Sequence, residues 1–236
     1  MEAFIAWMVA FMVAVAPPGR KIGIPEAEET REEAVARYTA IAKDIQTVIM
    51  DQEEVVITSG QQARIRMATI ILSLMLHESG FRKDVDFGIG KHARGDDGRS
   101  WCLMQINLGN GQTLRWNKVH HRFMRDGDPV DEEAPRWFGH ELVEDRTKCI
   151  RTGLRTIVGT ACRHLPVLEW LRAYASGSCD SGSEASRRRM TLAVSWFNMH
   201  RPAFDDAAIW QALRSPTTED SFILLSENRQ RQQMLP

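Results

Sequence analysis

The chain has 236 residues, of which 43% are hydrophobic and 26% are charged, and its formal net charge is −1. This length fits one large domain or two small ones, and the composition allows a sizeable core, which argues against a disordered chain. The absence of a basic excess argues against nucleic acid as a partner. The local basic cluster Arg187-Arg188-Arg189 is typical of a solvated helix face.

The N-terminal segment is apolar from Phe4 to Val15 and is followed by Pro17. It is too short to span a bilayer. A signal peptide would begin with basic residues, whereas the only early charge is Glu2, and Pro17 is unfavourable directly after the cleavage-like Ala14-Val15-Ala16. We therefore predict a short packed helix over residues 1–16, with a signal peptide as the alternative.

A buried central helix is predicted from Gln61 to Ser79. Between Met67 and Leu76 only Thr69 and Ser73 are polar, and a helix that is apolar nearly all round is buried. This helix carries Glu78 at its far end, where low dielectric makes a carboxylate costly to ionise and suits it to act as a general acid. The alternative is a charged residue that simply turns to solvent at a helix end.

A loop rich in glycine and aspartate follows over residues 80–112, and we predict a loop or a short β-hairpin there. Residues 113–136 are polar, and we expect them to be irregular. The spacing Asp84-x-Asp86-x-Gly88 hints at calcium. The ligand spacing of an EF-hand and its closing glutamate are absent, so we predict no metal site.

Helical patterns account for most of the remaining chain. A capping box at Thr30-Arg31-Glu32-Glu33 opens an amphipathic helix that runs to about Asp51. Further helices are predicted over residues 137–165, over residues 184–200, and from residue 202 to about residue 213. The predicted fold class is therefore mainly α, with one Gly/Asp-rich excursion after the central helix.

Three segments stand out together: His77-Glu78-Ser79-Gly80-Phe81, then Cys102-Leu103-Met104-Gln105-Ile106-Asn107, and finally Ser195-Trp196-Phe197-Asn198. Their order resembles the lysozyme-like lytic transglycosylases and the related goose-type lysozymes. The pattern of that superfamily is Glu-Ser, then Gly-Leu-Met-Gln-Ile, then Ala-Tyr-Asn. The resemblance covers about residues 64–208.

Two positions depart from the pattern of this superfamily. Cys102 stands where the family has glycine, so the turn there must tolerate a side chain. Trp196-Phe197 replaces Ala-Tyr, so a tyrosine hydroxyl that would reach the site is missing, although Asn198 is kept. These differences leave the implied fold intact and put the details of substrate binding in question.

The resemblance implies a lysozyme-like α domain, which we place at residues 61–215. Outside the resemblance we predict an N-terminal helical extension over residues 1–60 that packs on this domain, and a C-terminal tail over residues 216–236. The resemblance also implies cleavage of the β-1,4 bond between N-acetylmuramic acid and N-acetylglucosamine in peptidoglycan. Glu78 would act as general acid and base, since glycoside cleavage needs a protonated carboxyl at the glycosidic oxygen. No cofactor is implied.

Seven residues are expected to contact the glycan: Ser79, Trp101, Met104, Gln105, Asn107, Phe197 and Asn198. Neutral amides can bond N-acetyl and hydroxyl groups without adding charge, and apolar side chains can form a floor. Each also has a structural interpretation. Met104 could be core, Gln105 could tie loop backbone together, and Ser79 or Asn198 could cap a helix.

Asp96 and Asp97 lie between the first two motifs, where goose-type enzymes keep auxiliary aspartates. An inverting hydrolase needs a second carboxylate, whereas a lytic transglycosylase of the resembled family works with one glutamate. Both aspartates could equally be turn residues in Arg94-Gly95-Asp96-Asp97-Gly98. The sequence favours a lytic transglycosylase slightly over a muramidase that Asp96 or Asp97 assists.

The expected partner is a peptidoglycan glycan strand, so the protein is expected to act on the cell wall, either secreted or as part of a bacteriophage virion. The export route stays open. A virion or wall-associated structural protein that keeps the fold without catalysis is the alternative. The changes at the glycine and tyrosine positions of the motifs leave room for that alternative.

The four cysteines, Cys102, Cys149, Cys162 and Cys179, could form two disulfides. If Cys149 and Cys162 lie on one helix, they are about 20 Å apart and cannot be bonded. The pairing is then Cys102–Cys149 with Cys162–Cys179, or Cys102–Cys162 with Cys149–Cys179. We favour the first, because Cys179 follows soon after the helix that carries Cys162.

Overall fold

The computed structural model describes residues 2–19, 24–51, 62–108, 113–117, 122–125, 136–158 and 161–202. Within these ranges the protein is mainly helical, which confirms the predicted class. The helices are α1 (Glu2–Val15), α2 (Arg31–Met50), α3 (Ala63–Ser79), α4 (Lys83–Asp86), α5 (Gly139–Glu144), α6 (Arg146–Val158), α7 (Arg172–Ser176) and α8 (Ser183–Met199). The strands are β1 (Ser100–Trp101), β2 (Ile106–Asn107), β3 (Thr113–Asn117), β4 (Arg122–Arg125) and β5 (Arg136–Phe138). None of these helices is both long and apolar enough to cross a membrane.

Helix α3 is the central helix, as predicted. It packs against α1, α2 and most extensively α8, and 12 of its 17 residues are buried. Gly80 ends the helix in the left-handed conformation, with φ +61°, and its N–H donates to the carbonyl of Leu76. A glycine adopts this conformation without the steric cost that a Cβ would bring. Glu78 therefore lies in the last turn of a buried helix.

The predicted N-terminal helix and the predicted capping box are both present. Thr30 Oγ1 accepts the N–H of Glu33 at 3.2 Å, and the Glu33 carboxylate accepts the N–H of Thr30 at 2.7 Å. The Tyr38 hydroxyl of α2 donates to the carbonyl of Ala16 at 2.8 Å. Four side chains of α1 are fully buried in the same apolar core as α3: Phe4, Met8, Phe11 and Met12. The first two helices thus contribute to the main core.

The excursion after α3 includes a small β-hairpin, in which β1 pairs antiparallel with β2. The prediction of an irregular segment over residues 113–136 was wrong in part. Strand β3 pairs antiparallel with both β4 and β5 in a sheet of order β4-β3-β5. Strand β3 reads Thr-Leu-Arg-Trp-Asn, so apolar and polar residues alternate, but the run is short and polar overall.

The single helix predicted over residues 137–165 was also wrong. The chain forms β5, α5, α6 and a separate 3₁₀ turn at Ala161–His164. The break between α5 and α6 falls at Asp145, whose side chain accepts the N–H of Lys148 at 3.1 Å. This is the capping bond of a new helix, and aspartate is among the preferred residues for it.

Two disulfides, Cys102–Cys149 and Cys162–Cys179, join the four cysteines in the favoured pairing. The premise of a shared helix was wrong, because Cys149 lies in α6 and Cys162 lies in the 3₁₀ turn beyond its end. The first bond ties the turn between β1 and β2 to α6. It therefore anchors the Leu-Met-Gln-Ile segment to the helical core.

A buried ionic network joins α2, α4 and α6. The Asp86 carboxylate, 4% exposed, accepts from Nε and Nη2 of Arg146 at 2.8 and 3.0 Å and lies 3.6 Å from Nη1 of Arg37. Arg146 also pairs with Asp44, and Arg37 pairs with Glu29. Each charge in this network therefore meets an opposite charge, which buried ions require.

The Asp84-x-Asp86 pair is thus engaged by arginines. Asp84 is fully buried and pairs with Arg82, while Asp86 belongs to the network of α2 and α6. Within the residues that the structure describes, no cluster of three or more His, Cys, Asp or Glu side chains could hold a metal ion.

Glu169 is expected to make the stability of the fold depend on acid pH. Hydrogen bonds from Arg172, Ser183 and Arg187 lower the pKa of Glu169 to about 2, from an ordinary value of 4.5. Its contribution to stability is therefore present above pH 4.5 and is lost as the pH falls through 2. We expect Glu169→Gln to lower the Tm at pH 6, with a difference from wild type that shrinks towards pH 2 in thermal scans by circular dichroism. The matched control is Glu184→Gln, at a side chain that is 79% exposed.

A difference in Tm that stays constant from pH 6 to pH 2 would contradict this role of Glu169.

The predicted helix over residues 202–213 and the tail over residues 216–236 lie almost wholly outside the described residues, which end at residue 202.

Candidate active site

Glu78 faces α8 and forms an ion pair with Arg189. Nε and Nη2 of Arg189 lie 3.0 and 2.5 Å from the same carboxylate oxygen, Oε1. The Glu78 side chain is 18% exposed and the Arg189 side chain is 12% exposed. The charged residue at the end of the central helix thus lies between two helices and does not simply turn to solvent.

The backbone of α8 is fixed where it carries Arg189. The Ser73 hydroxyl of α3, fully buried, donates to the carbonyl of Arg189 at 2.6 Å. Nη1 of Arg189 donates to the carbonyl of Ala185 one turn earlier, at 2.9 Å. Ser73 is one of the two polar residues in the apolar run of α3. Its hydrogen bond fixes the position of α8 along α3, and so places Arg189 beside Glu78.

Three effects act on the pKa of Glu78. Burial raises it and is the largest effect, the charge and hydrogen bonds of Arg189 lower it, and the negative charge of Asp96 raises it. The net result is a pKa above the ordinary value of 4.5. A carboxyl in this setting keeps its proton to higher pH than an exposed glutamate, as a general acid must.

The two candidate auxiliary aspartates occupy different positions. Asp96 influences Glu78 electrostatically, and its Oδ2 accepts hydrogen bonds from Ser100 Oγ at 2.6 Å and from Asn107 Nδ2 at 2.8 Å. The Asp97 side chain is 99% exposed and lies 3.8 Å from Arg99. The structure therefore places Asp96, held by β1 and β2, at the candidate site, and it leaves Asp97 in solvent.

Tyr174 is a site residue that sequence reasoning missed. Its hydroxyl donates to the carbonyl of Met104 in the Leu-Met-Gln-Ile turn at 2.5 Å. Burial and the negative charge of Glu78 raise its pKa well above the ordinary value of 10. A tyrosine hydroxyl, expected to be missing because of Trp196-Phe197, is therefore supplied close to Glu78 by α7.

Arg189 was not among the predicted site residues, because a run of three arginines is typical of a solvated helix face. Arg187 and Arg188 are exposed, but Arg189 is not. Its position gave a signal, because Arg189 lies three residues after Ser186 and four before Ala193, both buried on the inner face of α8. A cation on the buried stripe of a helix needs an acidic partner.

The Leu-Met-Gln-Ile turn is connected to Glu78 through Tyr174, but its own side chains serve the fold. Met104 is fully buried against Gly153, where an added Cβ would lie 2.3 Å from the Met104 sulfur. Gln105 accepts the N–H of Gly95 at 2.8 Å and donates to the carbonyl of Cys102 at 3.0 Å. Met104 is thus part of the core, and Gln105 bonds loop backbone together, as their structural interpretations predict. The turn in this way positions Tyr174 and the loop that carries Asp96.

Ser79 and Trp101 are likewise engaged within the protein. The Ser79 hydroxyl donates to the carbonyl of Met75 at 2.7 Å. The Trp101 ring is 9% exposed, lies 4.1 Å below the guanidinium of Arg94, and packs so closely on Gly139 that a Cβ there would clash. Neither side chain offers a free surface to a glycan in this conformation.

The third motif lies away from Glu78, which corrects its expected place in the site. Helices α3 and α8 run antiparallel, so that Glu78 meets Arg189 while the guanidinium of Arg66 lies 5.1 Å from the Phe197 ring. Arg66 is 12 residues before Glu78 on α3, about 18 Å at 1.5 Å per residue. Phe197 and the exposed Asn198 are therefore at the opposite end of the helix pair.

The candidate site is thus composed of Glu78, Arg189, Asp96, Asn107 and Tyr174, from α3, α8, the excursion loop, β2 and α7. It combines an acid of raised pKa with a cation, a second carboxylate, an amide and a phenol. Comparisons of the chain with models of protein families, with curated proteins and with solved structures found no match.

Proposed function

We propose that this protein cleaves the β-1,4 glycosidic bond between N-acetylmuramic acid and N-acetylglucosamine in peptidoglycan, on a lysozyme-like α domain. The observation that carries the proposal is Glu78, a half-buried carboxyl of raised pKa in the last turn of a buried helix. The adjoining Leu-Met-Gln-Ile turn, its anchor Tyr174 and the carboxylate of Asp96 support it.

The chemistry assigned to Glu78 is proton transfer at the glycosidic oxygen. The protonated carboxyl donates its proton to the leaving oxygen as positive charge develops on the sugar ring. The resulting carboxylate then takes a proton from the nucleophile. In the transglycosylase reaction the nucleophile is the 6-hydroxyl of the same N-acetylmuramic acid, and the product is a 1,6-anhydro sugar.

Hydrolysis by a muramidase is the second candidate, and the position of Asp96 favours it. The charge of this carboxylate acts on Glu78, and hydrogen bonds from Ser100 and Asn107 hold it in place. A fixed second carboxylate near the acid suits the activation of water or the stabilisation of a positive sugar ring.

Mass spectrometry of muropeptides released from purified peptidoglycan tests the proposal. Products with 1,6-anhydro ends indicate a lytic transglycosylase, and reducing ends indicate a hydrolase. Release of neither product under conditions in which the protein is folded would contradict cleavage and leave a non-catalytic virion or wall-associated protein.

The two aspartates provide a matched pair of variants. If water is the nucleophile, Asp96→Asn is expected to lower the rate of reducing-end release by about 10²-fold, since general-base catalysis contributes about 10²–10⁴-fold. Asp97→Asn removes the same charge from an exposed position, and we expect it to change the rate less than twofold. That corresponds to a change of about 0.4 kcal/mol or less in the activation free energy. Reducing-end assays on both variants check this, and equal rates for the two would exclude a role for Asp96.

The proposed place of action is the cell wall, reached by secretion or as part of a virion. The two disulfides support it, since such bonds form and persist mainly in oxidising compartments. The proposed partner is the peptidoglycan glycan strand.

A further inference from the structure

The Glu78–Arg189 ion pair opposes the role assigned to Glu78. Both Nε and Nη2 of Arg189 lie on Oε1 of the carboxylate. A positive charge in this position favours the ionised form of a carboxyl, whereas cleavage needs the protonated form. As long as the pair is intact, the pKa of Glu78 is lower than burial and Asp96 alone would make it, and the protonated form is disfavoured to that extent.

Other groups around Glu78 favour protonation once Arg189 is removed. Burial and the charge of Asp96 both act against the ionised form, and Tyr174 adds no positive charge. His77, the neighbour on α3, has a pKa lowered by burial and by Arg189 and Arg188, so its cationic form is disfavoured. Arg189 is thus the cation that opposes the protonation of Glu78.

The Arg189 side chain also borders open space. A surface cavity of about 500 Å³ is lined by Arg189, His77, Arg188 and residues 182–185. The backbone of Arg189 is fixed by Ser73, so a change of partner requires only rotation of its side chain. An anionic group of a ligand in this cavity can reach the guanidinium and replace Glu78 as its partner.

We propose that Arg189 makes cleavage depend on a carboxylate in the substrate, which takes the guanidinium from Glu78 and leaves Glu78 to bind a proton. The inference rests on the proposed function, whose substrate carries such a group on the lactyl ether of each N-acetylmuramic acid from which the stem peptide has been removed. The charges balance, because the substrate brings one negative charge and Glu78 loses one by taking a proton from solvent. Neutral glycans built only of N-acetylglucosamine leave the pair intact.

Glycan strands without stem peptides provide a matched pair of substrates, with lactyl carboxylates either free or converted to amides. We expect wild type to cut the free-acid strands at least about tenfold faster, within the range of typical coupling between two binding events. In Arg189→Gln the two rates should come within about twofold of each other. Arg187→Gln removes the same charge from an exposed position of α8 that pairs with Glu169, and it should keep the wild-type preference.

Two results would overturn the inference: equal cleavage of both strands by wild type, or an unchanged preference in Arg189→Gln. Each leaves the proposed function standing, whereas no cleavage of either strand by wild type contradicts the proposed function itself. If Arg189→Gln does not fold, Arg189→Lys is used in its place. Lysine keeps the charge but lacks the planar fork of the guanidinium, so the preference of Arg189→Lys for free-acid strands should be smaller than that of wild type.

The titration of Glu78 can also be measured without turnover, by monitoring the NMR signal of its ¹³C-labelled carboxyl. We expect N-acetylmuramic acid to move the titration midpoint of wild type upward and N-acetylglucosamine to leave it unchanged. In Arg189→Gln the midpoint should be higher without ligand and insensitive to both sugars. The same response to both sugars in wild type would argue against carboxylate recognition by Arg189.

Discussion

Replacing Glu78 with glutamine is expected to lower the rate of glycan-strand cleavage by about 10²–10⁴-fold, the usual contribution of a general acid. The amide has nearly the same size and can still accept a hydrogen bond from Arg189, but it has no proton of suitable acidity for the glycosidic oxygen. The measurement is the rate of turbidity loss of purified cell walls, together with the yield of muropeptides by mass spectrometry.

The control for this variant is Glu32→Gln, which removes a carboxylate from an exposed position in the first turn of α2. It should clear cell walls at the wild-type rate. Thermal unfolding of both variants separates loss of chemistry from loss of fold. Wild-type activity in Glu78→Gln would rule out the mechanism, whatever the products are.

The largest effect on stability is expected at Asp86. Replacing it with alanine leaves the guanidinium groups of Arg146 and Arg37 without their shared carboxylate. Breaking a buried ion pair on one side costs about 3–5 kcal/mol, because the remaining charge stays buried without compensation. Urea unfolding monitored by circular dichroism, analysed for the midpoint and the slope, measures the loss.

The matched control is Asp180→Ala, at an exposed position outside the left-handed backbone region, and its free energy of unfolding should lie within about 0.5 kcal/mol of wild type. A loss below about 1 kcal/mol for Asp86→Ala would mean that Arg37 and Arg146 are satisfied by Glu29 and Asp44 alone. The network would then add little to the packing of α2, α4 and α6.

Much of the helical fold could be predicted from the sequence because its signals are local. The apolar run of α3, the capping box of α2 and the glycine after Ser79 act within a few residues, and each appears in the structure. Strands β3 to β5 could not be predicted in the same way. They are three to five residues long, and their pairing depends on partners elsewhere in the chain.

The candidate site shows the same division. Glu78 could be found because it ends a buried helix. Arg189 and Tyr174 could not be assigned to it, because their places follow from the antiparallel packing of α3 and α8 and from the hydrogen bond of α7 to the turn. Motif order suggested that Phe197 belongs beside Glu78, but order along a chain does not fix which end of a helix meets its neighbour.

The Cys102–Cys149 bond also determines where the chain can change in length. The two cysteines are 47 positions apart, and all three strands of the β4-β3-β5 sheet lie between them. Both ends of this covalent ring are buried, one in the turn that positions Tyr174 and one in α6. Because doubling the length of a flexible loop costs only about 0.6 kcal/mol in closure entropy, residues inserted between β3 and β4 would enlarge the ring and leave its base in place. An insertion between β3 and β4 is therefore a suitable way of grafting a further domain onto the protein.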